Sequence, residues 1–218
     1  MSLKVHRHFV KAARGVSLPL HAAISASGRV TMPRAGRRTL AQFLCRAVAG
    51  QQLSTIAART IWARVEDRVK REGSSIPEFF RAENTRALRT CGLSRAKVKA
   101  LIAIREAQEK GVLSPRRLRA LTHVQRAERL QEIWGVGQWT ADMASIFFFG
   151  DPDVWPEGDA GVQSMFLRLT GKRSPAAALK TANSFIPYRS FLALYMWQIL
   201  DSRAKPRSRK AVGTKRPV

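Results

Sequence analysis

The stretch that decides the fold runs from Leu130 to Phe166, and its centre reads Ile133-Trp134-Gly135-Val136-Gly137-Gln138-Trp139-Thr140-Ala141-Asp142-Met143. Apolar residues repeat at helical spacing on both sides. One helix is expected from Val124 to Ile133, and a second from about Gln138 to Phe149, ending at Gly150-Asp151-Pro152. Between them, two glycines let the backbone bend sharply and leave N–H groups pointing outward at a helix N-terminus. Donors and helix dipole there both favour an anion such as a phosphate oxygen. A Gly-x-Gly turn alone serves an ordinary helix–helix connection equally well. What sets this one apart is the acid-bearing, Gly-flanked turn that follows: Asp153-Val154-Trp155-Pro156-Glu157-Gly158-Asp159-Ala160-Gly161-Val162.

Working outward, nearly everything between the chain ends has helical period. Leu40, Phe43, Leu44, Ala47 and Val48 form one apolar face, interrupted by Gln51-Gln52-Leu53-Ser54. Ile56, Thr60, Ile61, Ala63 and Val65 carry a second helix to Val69, closed near Gly73. Ser75-Ile76-Pro77 predicts a short helix with Pro in its first turn. Ser94 caps a helix that buries Val98, Leu101, Ile102 and Ile104 and stops at Gly111. A short helix is expected over Ser114 to Ala120. Beyond the acidic turn, helices fit Gly161 to Leu169, Pro175 to Phe185 and Pro187 to Ser202. No strand alternation of useful length and no internal repeat is visible. The fold class is all-α.

Charge sets the partner class. Among 218 residues, 39 Lys and Arg face 15 Asp and Glu, a formal charge of +24. With 45% apolar residues the chain still builds a core, so it is a folded cation whose default partner is a polyanion, usually nucleic acid. Eleven basic residues precede the first acid, Glu66, and seven follow the last, Asp201. Residues 1–39 and 203–218 therefore read as basic arms flanking a core at 40–202, arms that follow phosphates or simply aid solubility. The Arg- and Ser-rich, acid-free N-terminus also has the composition of an organellar transit peptide. Cys45 and Cys91 lack metal-ligand spacing, which excludes an all-cysteine zinc site and a four-cysteine iron–sulfur cluster. They read as buried thiols in a reducing compartment, cytoplasmic or nuclear. No apolar run approaches the ~20 residues of a membrane-spanning helix. His6, His8, His21 and His123 are scattered without ligand spacing and read as surface residues.

At this point the sequence resembles a known family. The pattern I-W-G-V-G-Q-W-T-A-D-M followed by D-V-W-P-E-G-D-A-G-V is similar to the helix–hairpin–helix and Gly/Pro-Asp signature of DNA glycosylases. More narrowly, it resembles their 3-methyladenine DNA glycosylase II branch, the alkylation-repair enzymes. Three further segments agree in order: Ala49-Gly50-Gln51-Gln52-Leu53-Ser54, Gly92-Leu93-Ser94-Arg95-Ala96-Lys97-Val98-Lys99, and Pro187-Tyr188-Arg189-Ser190 with Tyr195-Met196-Trp197. The resemblance spans about Leu40 to Leu200, with the hairpin at about 125–150, and implies two helical lobes with a DNA-binding cleft between them.

What it implies is specific. Asp159 matches the family's catalytic aspartate: breaking a purine N-glycosidic bond leaves an oxocarbenium-like sugar, which a carboxylate beside C1′ stabilises while orienting water. Asp151, Asp153 and Glu157 are capping or surface acids on this reading. Trp139 stands where strand-nicking members carry the Schiff-base lysine, so a monofunctional glycosylase is implied. Trp139 and Trp197, joined by Tyr188 and Met143, match the base pocket, whose ring faces attract a positively charged alkylpurine. Gln52 or Leu53 takes the wedge position that fills the gap left by a flipped base. Gly135, Gly137, Thr140 and Arg189 match phosphate-binding positions, and the carbonyls of Gln131, Ile133 and Val136 match those that hold a Na+ or K+ ion in the family. No other cofactor is implied. The implied partner is damaged double-stranded DNA, bound by a monomer.

The best-known bacterial relatives begin with a separate sheet-containing domain, whereas about forty basic, Gly-, Ser- and Pro-containing residues precede the expected helical core of this sequence. Two alternatives remain open on sequence: a glycosylase for another lesion, such as hypoxanthine or a mismatched base, and a DNA-binding module that has lost the chemistry. Asp159 together with Trp139 and Trp197 argues against the second, because phosphate binding needs none of them.

Overall fold

The computed structural model describes residues 1–33 and 36–204. Twelve α-helices and no strand occur among them: α1 Leu3–Val16, α2 Leu18–Ser27, α3 Leu40–Gly50, α4 Thr55–Arg71, α5 Thr85–Thr90, α6 Arg95–Glu109, α7 Pro115–Arg119, α8 His123–Gln131, α9 Gln138–Ala144, α10 Ala160–Thr170, α11 Pro175–Ala182 and α12 Arg189–Ala204. The expected all-α class holds. Local chemistry sets many of the starts: Ser2, Ser17, Thr39, Ser54, Ser94, Thr122, Asp159 and Ser174 each accept a backbone N–H as N-cap, and Thr39 and Thr122 complete capping boxes with Gln42 and Gln125.

Two apolar cores define two lobes. The first, from α3 through α9, buries Leu40, Leu44, Val65, Phe80, Leu88, Leu101 and Leu130. The second gathers α10, α11 and α12, around Phe166, Phe185, Leu192 and Tyr195, and also the N-terminal α1 and α2. A small third cluster, Met143, Ile146 and Val154, joins the lobes, with Trp139, Phe147 and Trp197 packed on it.

The N-terminal arm expected at 1–39 is a correction. Phe9, Ala13, Leu20 and Ile24 are fully buried against the second lobe; Phe9 stacks on Phe185 with ring centroids 5.3 Å apart, and His6 Nδ1 lies 2.6 Å from the Tyr195 hydroxyl. The chain therefore begins in the second lobe, crosses to build the first, and returns. Lys4, Arg7, Lys11 and Arg14 stay exposed, so charge and burial share one amphipathic helix. The C-terminal segment 205–218, most of the expected tail, lies outside the described residues.

The short helix expected at Ser75-Ile76-Pro77 is instead a turn over residues 76–79. Phe79 and Phe80, at the end of this turn, are both buried in the first core. The helix expected from Gln138 to Phe149 runs as α9 and then widens to a π-turn over Ser145–Phe149. Buried Arg126 on α8 fastens that end, donating to the Leu118 and Leu121 carbonyls at 2.9 Å and pairing with Asp151 while it lies over the Phe149 ring.

Candidate active site

The hairpin turn sits where α8, α9 and α6 meet. Gly135 has φ +86°, and a Cβ there would fall 2.4 Å from the Ala100 Cβ on α6, so only glycine lets the turn pack. Gly137 differs: it is the N-cap of α9, and no protein atom crowds its Cβ position within 4 Å. The first-turn amides of α9, including that of Thr140, follow it. Thr140 is fully buried, and its hydroxyl accepts from Gln51 Nε2 at 2.8 Å, so that side chain is engaged within the protein. Behind the turn, Asp142 accepts from Gln138 Nε2 at 2.8 Å and lies 3.0 Å from His123 Nε2, which places His123 in a half-buried network rather than on the open surface. At the turn itself, the Ile133 carbonyl accepts the Val136 N–H at 3.0 Å and retains a second lone pair.

The acidic turn is held from the other side. At the start of α12, Arg189 forks onto Asp153 through Nε at 2.8 Å and Nη2 at 2.9 Å, and donates to Asn183 at 3.0 Å. Ser190 Oγ donates to the Asp151 carbonyl at 2.7 Å and accepts the Val154 N–H at 2.9 Å. Burial alone would push the Asp153 carboxyl up, but the hydrogen bonds and charge of Arg189, helped by His123, hold it below the ordinary aspartate value. Arg189 was expected to hold phosphate; its guanidinium is engaged by Asp153 instead, because a half-buried carboxylate needs a fixed cation.

Asp159 is treated differently. It caps α10, its Oδ1 accepting the Val162 N–H at 2.8 Å. Two indoles complete its shell: Trp139 Nε1 donates to Oδ2 at 2.9 Å, and Trp197 Nε1 donates to Oδ1 at 3.3 Å. No Lys or Arg pairs with it among the described residues. Neutral donors fix the carboxylate's direction while leaving its negative charge uncancelled.

A cavity of about 440 Å³ opens at the turn that carries Asp159, lined among others by Gln52, Leu53, Gly137, Trp139, Gly158 and Ala160; the Asp159 carboxylate, Trp197 and Met143 do not line it. The expected wedge, hairpin and Asp159 turn thus border one cleft between the lobes. Met143 is buried in the joining cluster, in the set that also holds Trp139 and Trp197. Tyr188 does not join them: it packs edge-on against Phe191 on the second core and does not line the cavity. Its neighbours Arg189 and Ser190 anchor the acidic turn instead. Sequence reasoning gave no role to Gln51, Lys97 or Phe147. Gln51 and Lys97 stand in segments that carry the family resemblance, and Phe147, 5.3 Å from the Trp197 ring, lies in the apolar end of the hairpin helix. Both cysteines are buried, and burial pushes both thiols up.

Two helical lobes, a Gly-x-Gly hairpin and an unpaired carboxylate in the cleft define the class of helix–hairpin–helix base-excision glycosylases. No family model matches the chain. DNA-3-methyladenine glycosylase 1 of Schizosaccharomyces pombe is 31% identical over 159 residues, covering 71% of this chain and 70% of that protein. DNA-3-methyladenine glycosylase 2 of Escherichia coli is 27% identical over 161 residues, 70% of this chain and 55% of its own. Among solved structures, the S. pombe 3-methyladenine glycosylase in complex with abasic DNA superposes with a TM-score of 0.78 at 26% identity, covering 88% of this chain and 95% of that one. A DNA-3-methyladenine glycosidase from Bacillus halodurans gives 0.71 at 30% identity, covering 90% of each. The chain belongs to the 3-methyladenine DNA glycosylase family.

Proposed function

We propose that this protein is a monofunctional DNA glycosylase that flips alkylated purines of the 3-methyladenine and 7-methylguanine type out of duplex DNA. It hydrolyses their N-glycosidic bond and leaves an abasic site. The observation that carries this reading is the Asp159 carboxylate, held by two indole N–H groups and the α10 N-terminus at the rim of the interlobe cleft. A carboxylate so oriented, and without a cation, opposes the positive charge that builds on C1′ as the base leaves, and can orient the attacking water. An N-alkylated purine already carries positive charge, which makes it a good leaving group and attracts it to the ring faces of Trp139 and Trp197 above Met143. Trp139 carries no amine, so no Schiff base forms at this position and the strand is left unbroken.

DNA is held through the amides at the start of α9, with Gln52 or Leu53 filling the gap in the stack. A Na+ or K+ ion on the carbonyls of Gln131, Ile133 and Val136 would add positive charge beside the bound phosphate. A single copy suffices, since every group named lies in one chain. No helix among the described residues is long and apolar enough to cross a membrane.

The test is release of free base from methylated duplex by the wild type and by Asp159→Asn. Release of 3-methyladenine or 7-methylguanine by the wild type, with a variant that binds but is nearly inert, is the expected result. Release of hypoxanthine or a mismatched base instead would move the protein to another lesion. Duplex binding with no release of any base would make it a module without chemistry.

A further inference from the structure

The loop between α3 and α4 presents Gln52 and Leu53 as its exposed tip, and Gln52 is the residue other than glycine found at positive φ, +56°, among the described residues. A side-chain-bearing residue is strained there, so something must over-determine the loop. Two contacts do so. Lys97, in the first turn of α6, sends its ammonium to the Ala49 and Gln51 carbonyls, each at 2.8 Å. These lie at the end of α3, where unsatisfied carbonyls and helix dipole favour a cation. Gln51 then ties the loop to the hairpin, its Nε2 donating to Thr140 Oγ1 at 2.8 Å and to the Gly135 carbonyl at 3.4 Å. Burial holds the Lys97 ammonium below the ordinary lysine value, consistent with a charge directed at protein carbonyls rather than water.

We propose that Lys97, acting with Gln51, is the positioning residue that locks the Gln52–Leu53 tip in register with the hairpin, so that engagement of a backbone phosphate and entry of the tip into the duplex occur as one movement. The inference rests on the glycosylase reading for its purpose, but not for its test. A tip that must part stacked bases works against their stacking, and a loop free to relax from φ +56° would fold back instead of entering.

The test uses the full chain and a duplex with a tetrahydrofuran abasic analogue opposite 2-aminopurine, whose fluorescence reports what stacks beside it. Saturating wild type should change that fluorescence, and a Gln52→Gly/Leu53→Ala variant, lacking the tip, sets the baseline. Lys97→Met should bind the duplex yet lose most of the change, and Lys97→Arg, which retains donors, should restore it. If Lys97→Met fails to fold, Gln51→Ala removes only the tether to the hairpin and carries the same expectation. A full change with the folded Lys97→Met, no rescue by Lys97→Arg, or no change with the wild type would each overturn the proposal. Single-turnover base release by Lys97→Met should be slower by about ten- to a hundredfold, the usual effect of a small misplacement. Should the wild type release no base while the fluorescence pattern appears, the clamp stands and the glycosylase reading falls.

Discussion

The hairpin turn around Gly135 and the acidic turn from Asp151 to Asp159 face the same cleft, yet they are built on opposite principles. The hairpin is uncharged and tight, held from behind by Ala100, Gln51 and the Asp142 network, and it offers backbone amides outward. The acidic turn carries three aspartates, of which two are neutralised: Asp151 by Arg126 and Asp153 by Arg189. Among the described residues, Asp159 receives only neutral N–H donors. Acids that fasten a turn have cations fixed to them, whereas the acid left for chemistry is oriented without being cancelled.

That contrast can be broken most directly at the aspartates. Asp159→Asn should reduce base release by about a thousandfold or more while the fold and DNA binding persist. Asp153→Asn should leave release nearly intact and lower the melting temperature. Base release that tolerated the first and not the second would reverse the roles of the two carboxylates. The glycines give the next largest effect. Gly135→Ala should cost about 3 kcal/mol in urea unfolding, combining a φ that alanine avoids with a collision against Ala100. Gly158→Ala, whose Cβ would sit 3.7 Å from the Trp139 Cβ, should stay within about 1 kcal/mol.

The indole donors sharpen the comparison further. Trp139→Phe keeps the ring and removes the N–H on Asp159, so single-turnover release should fall about tenfold, the worth of one hydrogen bond to a charged group. Trp197→Phe removes the longer bond and should cost about threefold. An equal and large loss at both would point to ring packing instead. The last comparison concerns pH. Because the folded-state pKa of Asp153 is depressed, its pairing adds stability that is fully present above the unfolded value near ~4 and is lost as pH falls through the folded value. Arg189→Ala should therefore destabilise at neutral pH by about 1–2 kcal/mol, with the gap to wild type closing below pH ~4. A gap that stayed constant down to pH ~2 would deny the pair its role.

Much of this architecture was legible because helical period is local. The apolar faces of α3, α4, α6 and α12, their serine and threonine caps and the Gly-x-Gly turn all appear within windows of a few residues. The N-terminal helices were obscured by their own charge. Lys4, Arg7, Lys11 and Arg14 drew the eye to an arm, while the apolar positions Phe9, Ala13, Leu20 and Ile24 make sense only once Phe185 and Tyr195 arrive from the far end of the chain. Arg189 and Tyr188 were misplaced for a related reason: a motif gives neighbours in sequence, and which of them reach a ligand depends on the element packed opposite.

The sequence by itself determined the all-α class, the hairpin, and the candidacy of Asp159, Trp139 and Trp197, since each follows from local spacing or from a motif carried in consecutive residues. Only the tertiary structure decided which aspartates are paired, that the first helices complete the second lobe, and that both indoles donate to one carboxylate. Those are contacts between residues up to 189 positions apart. Their geometry is set by how two cores pack around a shared cleft, which no local period encodes.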